Sequence, residues 1–67
     1  MTINQLEAYF NSIELPEVIK TDFEVIQVKK AVEISLIRVR SYCQNGKPTR
    51  LARLEKYKLE YYKKLIE

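Results

Sequence analysis

The stretch from Ile13 to Gln27, IELPEVIKTDFEVIQ, decides the fold, because the residues on either side of it read as helix. Pro16 holds Leu15 extended and cannot continue a helix begun upstream, so Ile13 to Lys20 reads as a coil linker. Leu15, Val18 and Ile19 make that linker an apolar strap across the helices, and one short strand-like segment without a partner forms no sheet. Thr21 with Glu24 makes a capping-box pattern, while the β-branched pair Val25 and Ile26 tolerates an extended approach to the helix. A second helix is therefore expected to start between Thr21 and Gln27, at about residue 24.

Upstream, Thr2 and Gln5 form a capping box, and Ile3, Leu6, Tyr9, Phe10 and Ile13 follow on one face of a 3.6-residue repeat. That predicts a helix over about 3–12. Downstream, Val25, Val28, Val32, Leu36, Val39 and Cys43 fall within about 80° on a helical wheel and form the core seam of a helix over about 24–43. Asn45 and Gly46 end it, because glycine takes the left-handed conformation that closes a last turn. Thr49 then caps a third helix over about 49–66, whose apolar arc is Leu51, Leu54, Tyr57, Tyr61, Tyr62 and Leu65. Short connections make neighbouring helices antiparallel, so the expected fold is all-α: one domain, residues 1–67, as a small three-helix bundle with a strapping loop between helices 1 and 2.

With 46% hydrophobic and 31% charged residues the chain has a globular composition. No apolar run approaches the ~20 residues that cross a bilayer, and Met1 to Gln5 hold no basic leader, so no membrane contact and a cytoplasmic location are expected. Domains near this size bury only about 60% of the surface of the unfolded chain, so stability is marginal and a partner adds to it. The net charge of +3 conceals an asymmetry. Residues 1–33 carry three lysines against six acids, whereas residues 34–67 carry nine lysines and arginines against three acids.

The run TINQLEAYFNSIELPE over Thr2 to Glu17, with VKKAVEISL in the second helix and RLEKYK in the third, resembles a family of short bacterial helical domains of unknown function. The resemblance is carried most clearly by the Ser-x-x-Leu-Pro-Glu linker, here Ser12 to Glu17. It implies a compact helical fold and transfers no activity, ligand or site. Ile34 and Ile37 depart from it, standing where smaller or more polar residues belong.

No enzyme is expected. The chain has no histidine, and its carboxylates lie singly on polar helix faces, without the positioned acid or base that catalysis requires. Cys43, the lone cysteine, sits on the core seam near a helix C-terminus that disfavours a thiolate, and reads as structural. A single glycine excludes a phosphate-cradling loop, and neither a metal nor a cofactor is expected. Tyr9, Tyr57 and Tyr61 lie at core spacing, with Tyr42 and Tyr62 near stripe edges.

Two surfaces remain as candidates. Ile26, Ile34 and Ile37 project from the back of helix 2, where they either complete the wide apolar face of a middle helix or form the interface of a homodimer or protein partner. Arg38, Arg40, Lys47, Arg50, Arg53 and Lys56 flank the turn between helices 2 and 3, where they either form a solvated face or meet the phosphates of nucleic acid. The leading expectation is a small non-enzymatic interaction module that self-associates through helix 2; a nucleic-acid-binding protein is the alternative.

Overall fold

Thr2 starts the first helix through both halves of the capping box. Its hydroxyl accepts from the Gln5 backbone N–H at 3.1 Å, and the Gln5 side chain accepts from the Thr2 N–H at 2.8 Å. In the computed structural model, which describes Met1 to Glu67, α1 spans Ile3–Ser12 and ends at Ile13 in extended backbone. In the strap that follows, Leu15 and Ile19 pack against the core margin while Val18 is exposed.

Between Ile19 and Ile26 the chain corrects the sequence reading. Ile19–Lys20 (β1) and Val25–Ile26 (β2) pair antiparallel, with Ile19 opposite Ile26 and Lys20 opposite Val25. Thr21 closes the turn between them instead of capping a helix. Its N–H donates to the Glu24 carbonyl at 2.8 Å, and its hydroxyl accepts from the N–H groups of Phe23 and Glu24 at 3.3 and 3.1 Å. A hydroxyl bonded to the N–H three residues on is common to an N-cap and to this turn, so the Thr–Glu spacing does not separate them. The β-branched Val25–Ile26 does, and it supplies the partner that the strap was expected to lack. Helix α2 accordingly spans Val28–Ser41, not 24–43.

A second hairpin replaces the expected direct turn into the last helix. Cys43–Gln44 (β3) pairs antiparallel with Lys47–Pro48 (β4) around Asn45 and Gly46, at φ 51° and 75°. Positive φ at both central residues gives the hairpin turn for which Asn-Gly is the strongest sequence signal, so Gly46 serves a strand pair and Tyr42 caps α2. Thr49 caps α3 (Arg50–Ile66) as expected: its hydroxyl accepts from the Ala52 N–H at 3.4 Å and donates to the Tyr42 carbonyl. The fold is thus α+β, three helices with two small antiparallel two-stranded sheets, and not an all-α bundle.

The core joins Leu6 and Phe10 of α1, Val28, Val32 and Val39 of α2, and Ala52 and Leu59 of α3. Leu36 and Cys43 of the expected seam are half-buried at its edge, whereas Val25 is exposed on β2. The larger correction concerns α3. Leu51, Leu54, Tyr57 and Tyr61, read as its buried arc, are between 46% and 60% exposed, while Ala52, Glu55 and Leu59 are buried. Two stripes run down this helix one residue apart, 51-54-58-61-65 and 52-55-59-62-66, and both have the alternating three-four spacing that faces a neighbouring helix. The more apolar stripe carries Leu51, Leu54 and Tyr61, but the one that packs on α2 contains Glu55.

Arg40 ties α2 to α1. Its guanidinium donates to Glu7 at 2.6 Å and to the Asn4 side-chain oxygen at 2.8 Å. The hydrogen bond from Arg40, opposed by desolvation and aided to a smaller extent by the Arg40 charge, holds the Glu7 carboxyl below its ordinary value of 4.5. A depressed folded pKa makes the stabilisation complete above the ordinary value and lost as pH falls through the folded one. The thermal midpoint of the chain is therefore expected to drop on acidification below pH 4.5, and Arg40→Ala to flatten that part of the profile. Parallel acid profiles for the two proteins, followed by circular dichroism, would show that the pair contributes nothing.

Candidate functional site

Helix α1 covers one side of the α2–α3 pair. Arg40 reaches Glu7, the Met1 amino group lies 3.9 Å from Glu60, and Lys63 sits 4.9 Å over the Tyr9 ring, which also packs edge-on against Phe10. Leu54 and Tyr61 lie roughly opposite Lys63 around α3, on the side that α1 leaves open. There the chain forms a groove of about 680 Å³, lined by Leu51, Leu54, Tyr57 and Tyr61, by Tyr42 and Tyr62, and by Glu24 and Ile26 of the first hairpin. A smaller depression over Val25, Ala31 and Ile34 shares Glu24 and Ile26 with it and so adjoins it across the first hairpin.

Glu55 also lines the groove and is only 5% exposed. Its Oε1 lies 3.4 Å from the Lys58 ammonium and 4.0 Å from the Arg38 guanidinium, both of which are about half exposed. Its Oε2 is buried and has no hydrogen-bond partner. Native proteins leave few buried polar atoms in that state, since an unmade hydrogen bond costs about 1–3 kcal/mol.

The three isoleucines read from the sequence are not on one helix. Ile26 stands in β2, half-buried against the core, because the second helix starts later than expected. Ile34 and Ile37 of α2 are 39% and 69% exposed, so no neighbouring helix covers them. The basic set divides as well. Arg38, Arg40 and Lys56 are held by Glu55, Glu7 and Glu60, whereas Lys47, Arg50 and Arg53 are exposed and make no ion pair. Cys43 is half-buried, its thiol donating to the Val39 carbonyl at 3.2 Å.

The groove was hidden in the sequence because its walls looked like core. The spacing does not separate the two stripes of α3, since both recur at intervals of seven and each holds one charged residue, Lys58 in the exposed stripe and Glu55 in the packed one. No helix of the chain is long and apolar enough to cross a membrane. Residues 1–67 match a domain of unknown function, DUF6965. No curated protein and no solved structure matches the chain.

Proposed function

The chain belongs to the DUF6965 family, a domain of unknown function that brings no activity or ligand with it, and we propose that it is a small non-enzymatic interaction module that self-associates over its open face. The observation that carries this reading is the exposed apolar row on α3. Leu51, Leu54, Tyr57 and Tyr61 line a groove that adjoins, at Ile26, the smaller depression lined by Ile34. Contiguous apolar surface on that scale marks interaction sites in small proteins. Association also adds stability that a domain this short does not draw from its own core. Helix 2 keeps a part in this reading through Ile34, which lines the smaller depression, and through Ile37, which is 69% exposed one turn further along α2. Nucleic-acid binding ranks second, because three of its six candidate cations are already held by carboxylates of the same chain.

Replacing Ile34 and Ile37 together by glutamate is expected to raise the self-association Kd at least about tenfold, about 1.4 kcal/mol, with helicity unchanged. Sedimentation velocity and circular dichroism measure the two effects. A variant that unfolds instead would place both residues in the core, and one that associates as tightly as the parent would remove them from the interface.

A further inference from the structure

We infer that the groove is filled by α3 of a second copy, antiparallel to the first about a two-fold axis; this rests on the self-association proposed above and specifies its geometry. A two-fold interface is made of one patch meeting itself, so every residue on it must find its complement at the mirrored position along the helix. The groove face of α3 has that property. Leu51, Leu54, Tyr57 and Tyr61 centre between residues 55 and 56, and Glu55 with Lys58 centres between 56 and 57. At 1.5 Å per residue the two centres lie about 1 Å apart along the axis. One antiparallel register therefore satisfies both sets. It sets Leu51 against Tyr61 of the second copy and Glu55 against its Lys58, twice over.

Charge selects the direction. A parallel pairing in register would set Glu55 against Glu55 and Lys58 against Lys58, which is repulsive. The antiparallel one brings two carboxylates and two ammonium groups into alternation around the axis. It also brings an additional ammonium toward the Glu55 carboxylate, whose Oε1 the Lys58 ammonium of the same chain approaches at 3.4 Å. Area is consistent with this assembly. The four half-exposed side chains of α3 present about 400 Å² together, and Ile26, Ile34, Tyr42 and Tyr62 on the same face extend it toward the ~800 Å² per partner of a stable interface.

The test uses the full chain and two half-exposed positions outside the buried core, with circular dichroism to follow the fold of each variant. Leu51→Lys and Tyr61→Glu are each expected to weaken self-association at least about tenfold. Mixed in equal amounts they are expected to restore it as a heterodimer, because one end then pairs lysine with glutamate while the other keeps the native Leu51–Tyr61 contact. Sedimentation velocity of the parent, each variant and the mixture, up to about 200 µM, reads the outcome. Lys58→Glu is a further check, read together with monomer stability by urea denaturation because Lys58 also lies 3.4 Å from Glu55 of its own chain, and is expected to weaken the dimer beyond any loss of monomer stability by setting acid against acid. A parent that associates, with variants that associate equally or a mixture that does not recover, overturns the antiparallel α3 pairing and leaves self-association standing. A parent that stays monomeric throughout overturns both.

Discussion

Leu59→Ala is expected to destabilise the chain by about 3 kcal/mol, whereas Leu54→Ala, five residues earlier on the same helix, is expected to cost under about 1 kcal/mol. Leu59 is fully buried and is the only large aliphatic side chain that α3 buries completely, so truncation removes its transfer energy and leaves a cavity among the valines of α2. Leu54 is half exposed on the groove. At roughly 0.05–0.15 kcal/mol per residue, a chain of 67 residues has about 3–10 kcal/mol in total. The first variant should therefore populate the unfolded state measurably at physiological temperature. Urea denaturation at a few micromolar protein, where association does not add to stability, compares the pair. A larger loss at Leu54 than at Leu59 would mean that the more apolar stripe packs after all and that α3 is rotated by one residue from its position here.

Glu55→Met is expected to act in the opposite direction, raising the stability of the monomer by about 1–2 kcal/mol. The carboxylate is 5% exposed, its Oε2 has no donor, and the cations at Oε1 stand 3.4 and 4.0 Å away in half-exposed positions. Removing it frees Lys58 and Arg38 to solvent at little cost, and methionine fills the volume without a polar atom to satisfy. The same change is expected to weaken the dimer, since it deletes the charge that meets Lys58 of the second copy. A residue that lowers the stability of its own fold while serving a contact surface is the usual form of a stability–function trade-off. Denaturation at low concentration and sedimentation at high concentration separate the two effects; a variant less stable than the parent as a monomer would show that the Arg38–Glu55–Lys58 cluster holds the core together.

The parts of the fold legible in the sequence are those set by hydrogen bonds between near neighbours with one structural meaning. The Thr2–Gln5 capping box and the Thr49 cap define their helices, and the Leu6–Phe10 stripe finds the core. Where a local pattern serves two structures, the sequence reading took the helical one. Thr21 to Glu24 caps helices and closes turns alike, and Asn45-Gly46 ends helices as well as turning hairpins, so both small sheets were missed. Helix α3 failed for a different reason. Apolar content ranks stripes correctly when only one must be covered, but this helix has two, and the packed one holds a glutamate. Of the residues lining the groove and its neighbouring depression, Ile26 and Ile34 stood out in the sequence, whereas Ile37 lines neither. The remainder, Leu51 to Tyr61, was visible as residues and assigned to the wrong side of the helix.

The Asn45–Gly46 hairpin bears on the order in which the chain assembles. It joins α2 to α3 through residues 42–49 alone, and Thr49 clasps the Tyr42 carbonyl across it, so the principal helix pair closes over a short loop. The link from α1 instead runs from Glu7 to Arg40, across 33 residues. Short closures are fast and long ones slow, so the α2–α3 unit is expected to form first and α1 to dock late, an order that hydrogen exchange pulsed during refolding would overturn by protecting α1 first. Until α1 docks, that unit offers two uncovered sides, and a neighbouring nascent chain meets the one that α1 will later occupy as readily as the one that stays open.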